Sequence, residues 1–142
     1  MRKFIFLLVI TGLLVSCKGD NNPNNCNNLL NVNVFAEINL NLPQYNALLF
    51  PNNPIYEPNL GNGGVIINNI GNGYVAFDAA DPNHPINTCS VLTIQGIEGV
   101  CGCDDNNTYS LVTGQALGEQ NLPCGLKIYI VQQNGNSLII SN

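Results

Sequence analysis

Residues Asp81–Gln115 read DPNHPINTCSVLTIQGIEGVCGCDDNNTYSLVTGQ. His84 and Cys89 lie in the first half, and Cys101-Gly102-Cys103 runs directly into Asp104-Asp105. The mixture of imidazole, thiol and carboxylate is that of a metal centre. Thiolate and imidazole suit zinc, copper and iron–sulfur groups, whereas carboxylate suits harder cations. Yet His84 is the only His in the chain, and acids stand where a second His would be expected. What the stretch can bind depends on the compartment, on the surrounding fold and on a count of ligands.

The N-terminus fixes the expected compartment. Arg2 and Lys3 precede an apolar run from Phe4 to Val15. At 1.5 Å per residue this run is too short to span ~30 Å of hydrocarbon, and it reads as a secretory signal, residues 1–16. Leu14-Val15-Ser16-Cys17 resembles a bacterial lipobox, which makes Cys17 the expected lipidation site; an ordinary signal peptide or a chance Cys is the alternative. At about 0.8 kcal/mol per buried CH₂, two or three acyl chains would hold the protein on a membrane. The expected location is therefore the bacterial cell envelope, periplasmic or surface-exposed, with the membrane itself as one partner. Cleavage would leave Lys18 and Lys127 against nine acidic residues, and two minus nine gives a net charge of −7. Such a surface repels nucleic acid and anionic headgroups, so nucleic-acid binding is excluded.

Residues 17–31 are rich in Asn and have little to bury, which predicts a lipidated, flexible tether. Residues 32–142 are then long enough for one domain with a modest core. Export would place Cys26, Cys89, Cys101, Cys103 and Cys124 in an oxidising compartment. Five is odd, so at least one is free, liganded or paired between chains.

Val32, Val34, Ala36, Ile38 and Leu40 alternate with polar residues and predict a half-buried strand. Four prolines from Pro43 to Pro58 break up the next stretch, leaving room for a short strand near Leu48–Phe50. GGVIINNIGNGYVAF predicts a hairpin turning at Gly71-Asn72-Gly73, VLTIQGIEGV one at Gln95-Gly96, and LKIYIVQQNGNSLII one at Asn134-Gly135. No helical periodicity of useful length follows the signal segment. The expected architecture is an all-β sandwich or small barrel.

The order of these features resembles a Rieske-type domain, the all-β fold that holds a [2Fe–2S] cluster between two loops. YVAFDAADPNH is similar to the strand entering the first cluster loop. VCGCDDNNTYSLVTGQAL is similar to the second loop and its aromatic-x-x-x-Thr-Gly continuation, here Tyr109, Thr113 and Gly114. LKIYIVQQNGNSLIIS resembles the closing hairpin. The resemblance implies Cys-x-His and Cys-x-x-His as cluster ligands, two thiolates on one iron and two imidazoles on the other. Carried over residue by residue, the first Cys falls on Asp81 and the first His on Asn83 or, one residue late, on His84. The second Cys falls on Cys101 and the second His on Asp104. At most two of the four ligands remain. A hard carboxylate oxygen replaces thiolate poorly on a sulfide cluster, so the expectation is a domain that has lost the cluster. The resemblance also implies a disulfide between the loops at Cys89 and Cys103. Cys26, before the first strand, and Cys124, before the last hairpin, are then natural partners, which leaves Cys101 as the odd thiol.

The sequence therefore suggests an envelope lipoprotein with a Rieske-like domain, no cofactor, and a binding or structural role toward an unidentified envelope protein. One alternative is an electron-transfer protein with an atypical [2Fe–2S] centre. Another is a mononuclear metal site from His84, Cys101 and a carboxylate such as Asp104 or Asp81. Thiol chemistry at Cys101-Gly-Cys103 is disfavoured by the adjacent acids, which raise a thiol pKa. No Gly-rich phosphate loop or Gly-x-Ser-x-Gly elbow occurs, and the reading leans away from an enzyme. Tyr45, Tyr56 and Tyr74 read either as exposed recognition aromatics or as packing.

Overall fold

In the computed structural model, which describes residues 26–118 and 121–142, the alternating stretch after Val32 forms β1 (Phe35–Asn39). Val34, Ile38 and Leu40 turn inward while Phe35 stays 70% exposed. The proline-rich connection holds a 3-10 helix, Pro43–Leu49, in place of the strand expected near Leu48–Phe50. Pro at the start of such a helix gives up no hydrogen bond, and Tyr45 and Leu48, one turn apart, are buried beneath it. An unpredicted strand, β2 (Ile55–Glu57), then fits between Pro54 and Pro58. Only a sheet edge tolerates that placement, and β2 is an edge strand.

The three expected hairpins form. They pair β3 (Val65–Asn69) with β4 (Tyr74–Asp78), β5 (Leu92–Gln95) with β6 (Glu98–Cys101), and β9 (Ile128–Asn134) with β10 (Ser137–Ser141). The last two turn on Gly96-Ile97 and Gly135-Asn136, one residue later than expected, with both glycines at positive φ (63° and 58°). Two short strands escaped the sequence reading, β7 (Thr108–Ser110) and β8 (Ala116–Leu117).

Among the described residues all ten strands pair antiparallel, in a six-stranded sheet of order β1-β10-β9-β4-β3-β2 and a four-stranded sheet of order β5-β6-β7-β8. The central strands β3 and β4 are buried on both faces. Their period-two alternation sends Val65, Ile67 and Ala76 into one core with Ile38, Leu48, Leu138 and Ile140. It sends Ile66 and Phe77 into a second core with Leu92, Cys101 and Tyr109 of the small sheet and Leu111 in the turn that follows Ser110. Buried Asn68 crosses between the sheets, donating from Nδ2 to the Leu111 carbonyl at 2.9 Å.

Asp78, fully buried at the end of β4, accepts from the backbone N–H groups of Asn62, Gly63 and Ala80, from Asn62 Nδ2 and from the Tyr129 hydroxyl. These bonds tie the Gly61–Gly64 loop to the sheet. Of the three singled-out tyrosines, Tyr45 is buried with its hydroxyl donating to Glu57, Tyr74 is half-buried and Tyr56 is exposed.

Residues 26–31, assigned by composition to the tether, are docked on the domain. Cys26 is bonded to Cys124. Leu30 N–H donates to Asn62 Oδ1 at 2.8 Å, and Lys127 Nζ donates to the Leu30 carbonyl at 3.0 Å. Cys17 and the apolar run before it lie outside the described residues. Among those described, no helix is long and apolar enough to cross a membrane.

Candidate functional site

The two loops of interest meet at one end of the small sheet. The first leaves β4 through Ala79-Ala80 and returns to β5. Asp81 N–H bonds to the Ser90 carbonyl and Leu92 N–H to the Ala79 carbonyl, which closes its base. The second joins β6 to β7, with Cys101 N–H on the Asn107 carbonyl and Asn106 N–H on the Cys103 carbonyl. Gly102 N–H donates to the Cys89 carbonyl at 2.9 Å, and a Cβ at Gly102 would lie 3.1 Å from that oxygen. The close backbone approach explains why Gly separates the two cysteines. A Cys89–Cys103 disulfide joins the loops.

Asp81 is fully buried beneath them. Its Oδ1 accepts from the Tyr109 hydroxyl at 2.5 Å and from Asn83 N–H at 2.8 Å, and its Oδ2 accepts from Asn107 Nδ2 at 2.9 Å. Asn83 donates from Nδ2 to the Tyr109 hydroxyl and to the Cys124 carbonyl, while its Oδ1 accepts from Cys124 N–H. Asp81, at the first Cys position of the resembled family, and Asn83, one of the two residues that could stand for the first His, are thus engaged in an internal network. Asn83, Asn107 and Tyr109 are the partners that sequence reasoning did not assign. Tyr109 stood out only within the aromatic-x-x-x-Thr-Gly segment, and one Asn among so many carries no signal.

The ring nitrogen of His84 and the sulfurs of Cys101 and Cys103 lie within 4.8 Å of one another. Asp81 and Asp104 are not members of that group, and Asp104 is exposed. His84 Nε2 pairs with Asp105 Oδ2 at 2.6 Å. His84, Cys89, Cys103 and the acids line an open depression of about 360 Å³, with Cys101, 1% exposed, beneath. Cys101 is the free cysteine among the described residues, its thiol 3.6 Å from the Cys89 carbonyl oxygen.

Burial pushes the Cys101 thiol up to about 11, against a hydrogen bond with the backbone of Cys103 that favours the thiolate; the Asp81 carboxylate raises it further. Burial likewise raises the Tyr109 phenol, reinforced by its bond to Asp81, and the Tyr129 phenol, reinforced by Asp78. Each of these groups is neutral when protonated and holds its proton longer folded than unfolded. Their contribution is fully present below the ordinary values, 9.0 for the thiol and 10.0 for the phenols. It is lost as pH rises past them, at about 1.4 kcal/mol per pH unit per group. We expect the urea midpoint to hold to about pH 8.5 and to fall above 9. Cys101→Ala should flatten the fall between pH 9 and 10, before the phenols ionise in the unfolded chain. Parallel curves for the two proteins would show that the thiol does not titrate there.

A two-loop site at the end of a four-stranded sheet, packed on a second antiparallel sheet, defines a Rieske-type β fold. The chain is similar to a chain of the solved complex of reduced oxygenase and oxidized ferredoxin in carbazole 1,9a-dioxygenase, with a TM-score of 0.50 and 12% identity over 76% of this chain and 93% of that one. It is also similar to the ferredoxin of carbazole 1,9a-dioxygenase from Nocardioides aromaticivorans IC177, with a TM-score of 0.43 and 14% identity over 64% and 86% of the two chains. No protein-family model matches the sequence, and no curated protein matches it.

The fold raises the question of a [2Fe–2S] group, and the donors do not fit one. Asp81 is a buried carboxylate spent on Tyr109, Asn107 and the backbone of Asn83. Asn83 offers an amide already bonded to Cys124. Cys103 is in a disulfide, and Asp104 presents hard oxygen to solvent. Only Cys101 and His84 match in kind, and in the resembled pattern they serve different irons.

Proposed function

We propose that the chain is an envelope lipoprotein, anchored through Cys17, whose Rieske-fold domain works without a cluster as a binding or structural module for another envelope component. The observation that carries this reading is the burial of Asp81 in a closed hydrogen-bond network at the position where a cluster would need a thiolate.

The test is iron and acid-labile sulfide on the full chain isolated from iron-replete cells, with the visible spectrum recorded alongside. Neither element and no visible absorption is the expected result. Two irons and two sulfides per chain would overturn the reading in favour of an electron-transfer protein with atypical ligands.

A further inference from the structure

The depression between the loops has a second property, which depends on the oxidation state of its bridge. In the disulfide form it offers a metal one imidazole and one thiol, those of His84 and Cys101. Cys103 Sγ belongs to the same cluster, yet as half of a disulfide it has no thiolate to give. Cys89 Sγ is bonded to it. Opening that one bond raises the donors in the cluster from two to three, His84, Cys101 and Cys103, and frees the Cys89 thiol beside them as a fourth. Donor atoms around a tetrahedral zinc with bonds of about 2.0–2.3 Å stand a little under 4 Å apart. The present limit of 4.8 Å among three of them therefore requires only a small contraction. His84 Nε2 is held by Asp105, so a metal on Nδ1 would keep a carboxylate–imidazole pair of the kind that orients metal-bound His.

We infer that these loops form a redox-gated site for a soft or borderline cation, closed by the Cys89–Cys103 disulfide and opened by its reduction. The reductant is a dithiol. It transfers two electrons to the Cys89–Cys103 bond, two protons follow to give two protein thiols, and the dithiol leaves as its own disulfide. Metal binding then releases the thiol protons to water. The inference rests on the cluster-free reading, because a cluster would occupy Cys101.

The experiment uses full-length protein in detergent and zinc alone as the titrant, competed against a chromophoric chelator. Three preparations are compared: oxidised wild type, dithiol-reduced wild type, and Cys89→Ala kept anaerobic, in which Cys26–Cys124 stays intact. Reduced wild type should bind one zinc at least ~100-fold more tightly than the oxidised protein, as expected when thiolates join a site; Cys89→Ala, which keeps three of the four donors, should bind more tightly than the oxidised protein and less tightly than reduced wild type. Cobalt in the same site should show a sulfur-to-metal charge-transfer band. His84→Ala or Cys101→Ala in the Cys89→Ala background should each weaken binding by about 10-fold or more.

Equal zinc affinity in the oxidised and opened forms would overturn the inference, as would full affinity after loss of His84 and Cys101, which would mean chance chelation by thiols. If Cys89→Ala lacks the sheet spectrum, its recovery on adding zinc supports the site, and failure to recover overturns it. Iron and sulfide in the protein as isolated would instead overturn the cluster-free reading. No iron together with no zinc binding would overturn this inference alone.

Discussion

Replacing Cys26 and Cys124 together by Ala is expected to cost on the order of 4–5 kcal/mol. The bridge closes a loop of 98 residues, and the chain-entropy model gives about 4.7 kcal/mol for a loop near 100 residues. For a domain of this size that corresponds to a fall in melting temperature of roughly 15–20 °C. The native state contributes as well. Without the bridge, residues 26–31 are held mainly by the Leu30 bonds to Asn62 and Lys127 and by Asn28 on the Pro82 carbonyl. Replacing both cysteines avoids leaving a new thiol to exchange with the second disulfide. The Cys89–Cys103 bridge spans 14 residues, for which the same model gives about 3 kcal/mol. Thermal melts of the two double variants should therefore rank with Cys26/Cys124 the more damaged. The reverse order would show that local packing, not loop closure, sets the value of each bridge.

Asp81→Ala is expected to cost about 3–5 kcal/mol, comparable to a large cavity in the core. The carboxylate lies under both loops, and its removal strands the Tyr109 hydroxyl on one side and the Asn107 amide on the other. Both residues are buried, so water cannot easily replace what is lost. Asp81→Asn keeps the volume and an acceptor for Tyr109, and should cost about 1–2 kcal/mol. Denaturant midpoints of the two variants measure the difference. A wild-type midpoint for Asp81→Ala would mean that the carboxylate does not hold the loops. That result would reopen the question of what a buried acid is doing at a ligand position.

Much of the architecture was legible because it rests on period-two burial and on glycine turns. The runs at Val32–Leu40, Val65–Phe77 and Ile128–Ser141 announced their strands, and the turn glycines announced the reversals. The strand expected near Leu48–Phe50 became a 3-10 helix because Pro43 favours a helical start and Tyr45 and Leu48 could both reach the core from one turn. β2, β7 and β8 escaped because strands of two or three residues owe their existence to a neighbour and carry too few residues to show a period. At the site, the ligand positions could be located from the resemblance, but their employment could not. That Asp81 is closed in by Tyr109, Asn83 and Asn107 depends on bonds between residues up to 28 apart along the chain. Likewise, that Cys103 joins His84 and Cys101 in one cluster follows from how two loops meet.

The pairing of β1 with β10, which sets Phe35 opposite Ser141, bears on the order in which the molecule can assemble. Neighbouring hairpins such as β5–β6 and β3–β4 need only short chain closures, and the Cys89–Cys103 bond asks for little more. β1 and Cys26 must instead wait for partners made at the far end of the chain, at the steep end of the relation between contact order and folding rate. During synthesis the N-terminal strand therefore stands unpaired, its backbone edge open, until the last hairpin arrives. The domain is expected to build outward from its middle, and its two ends seal it last.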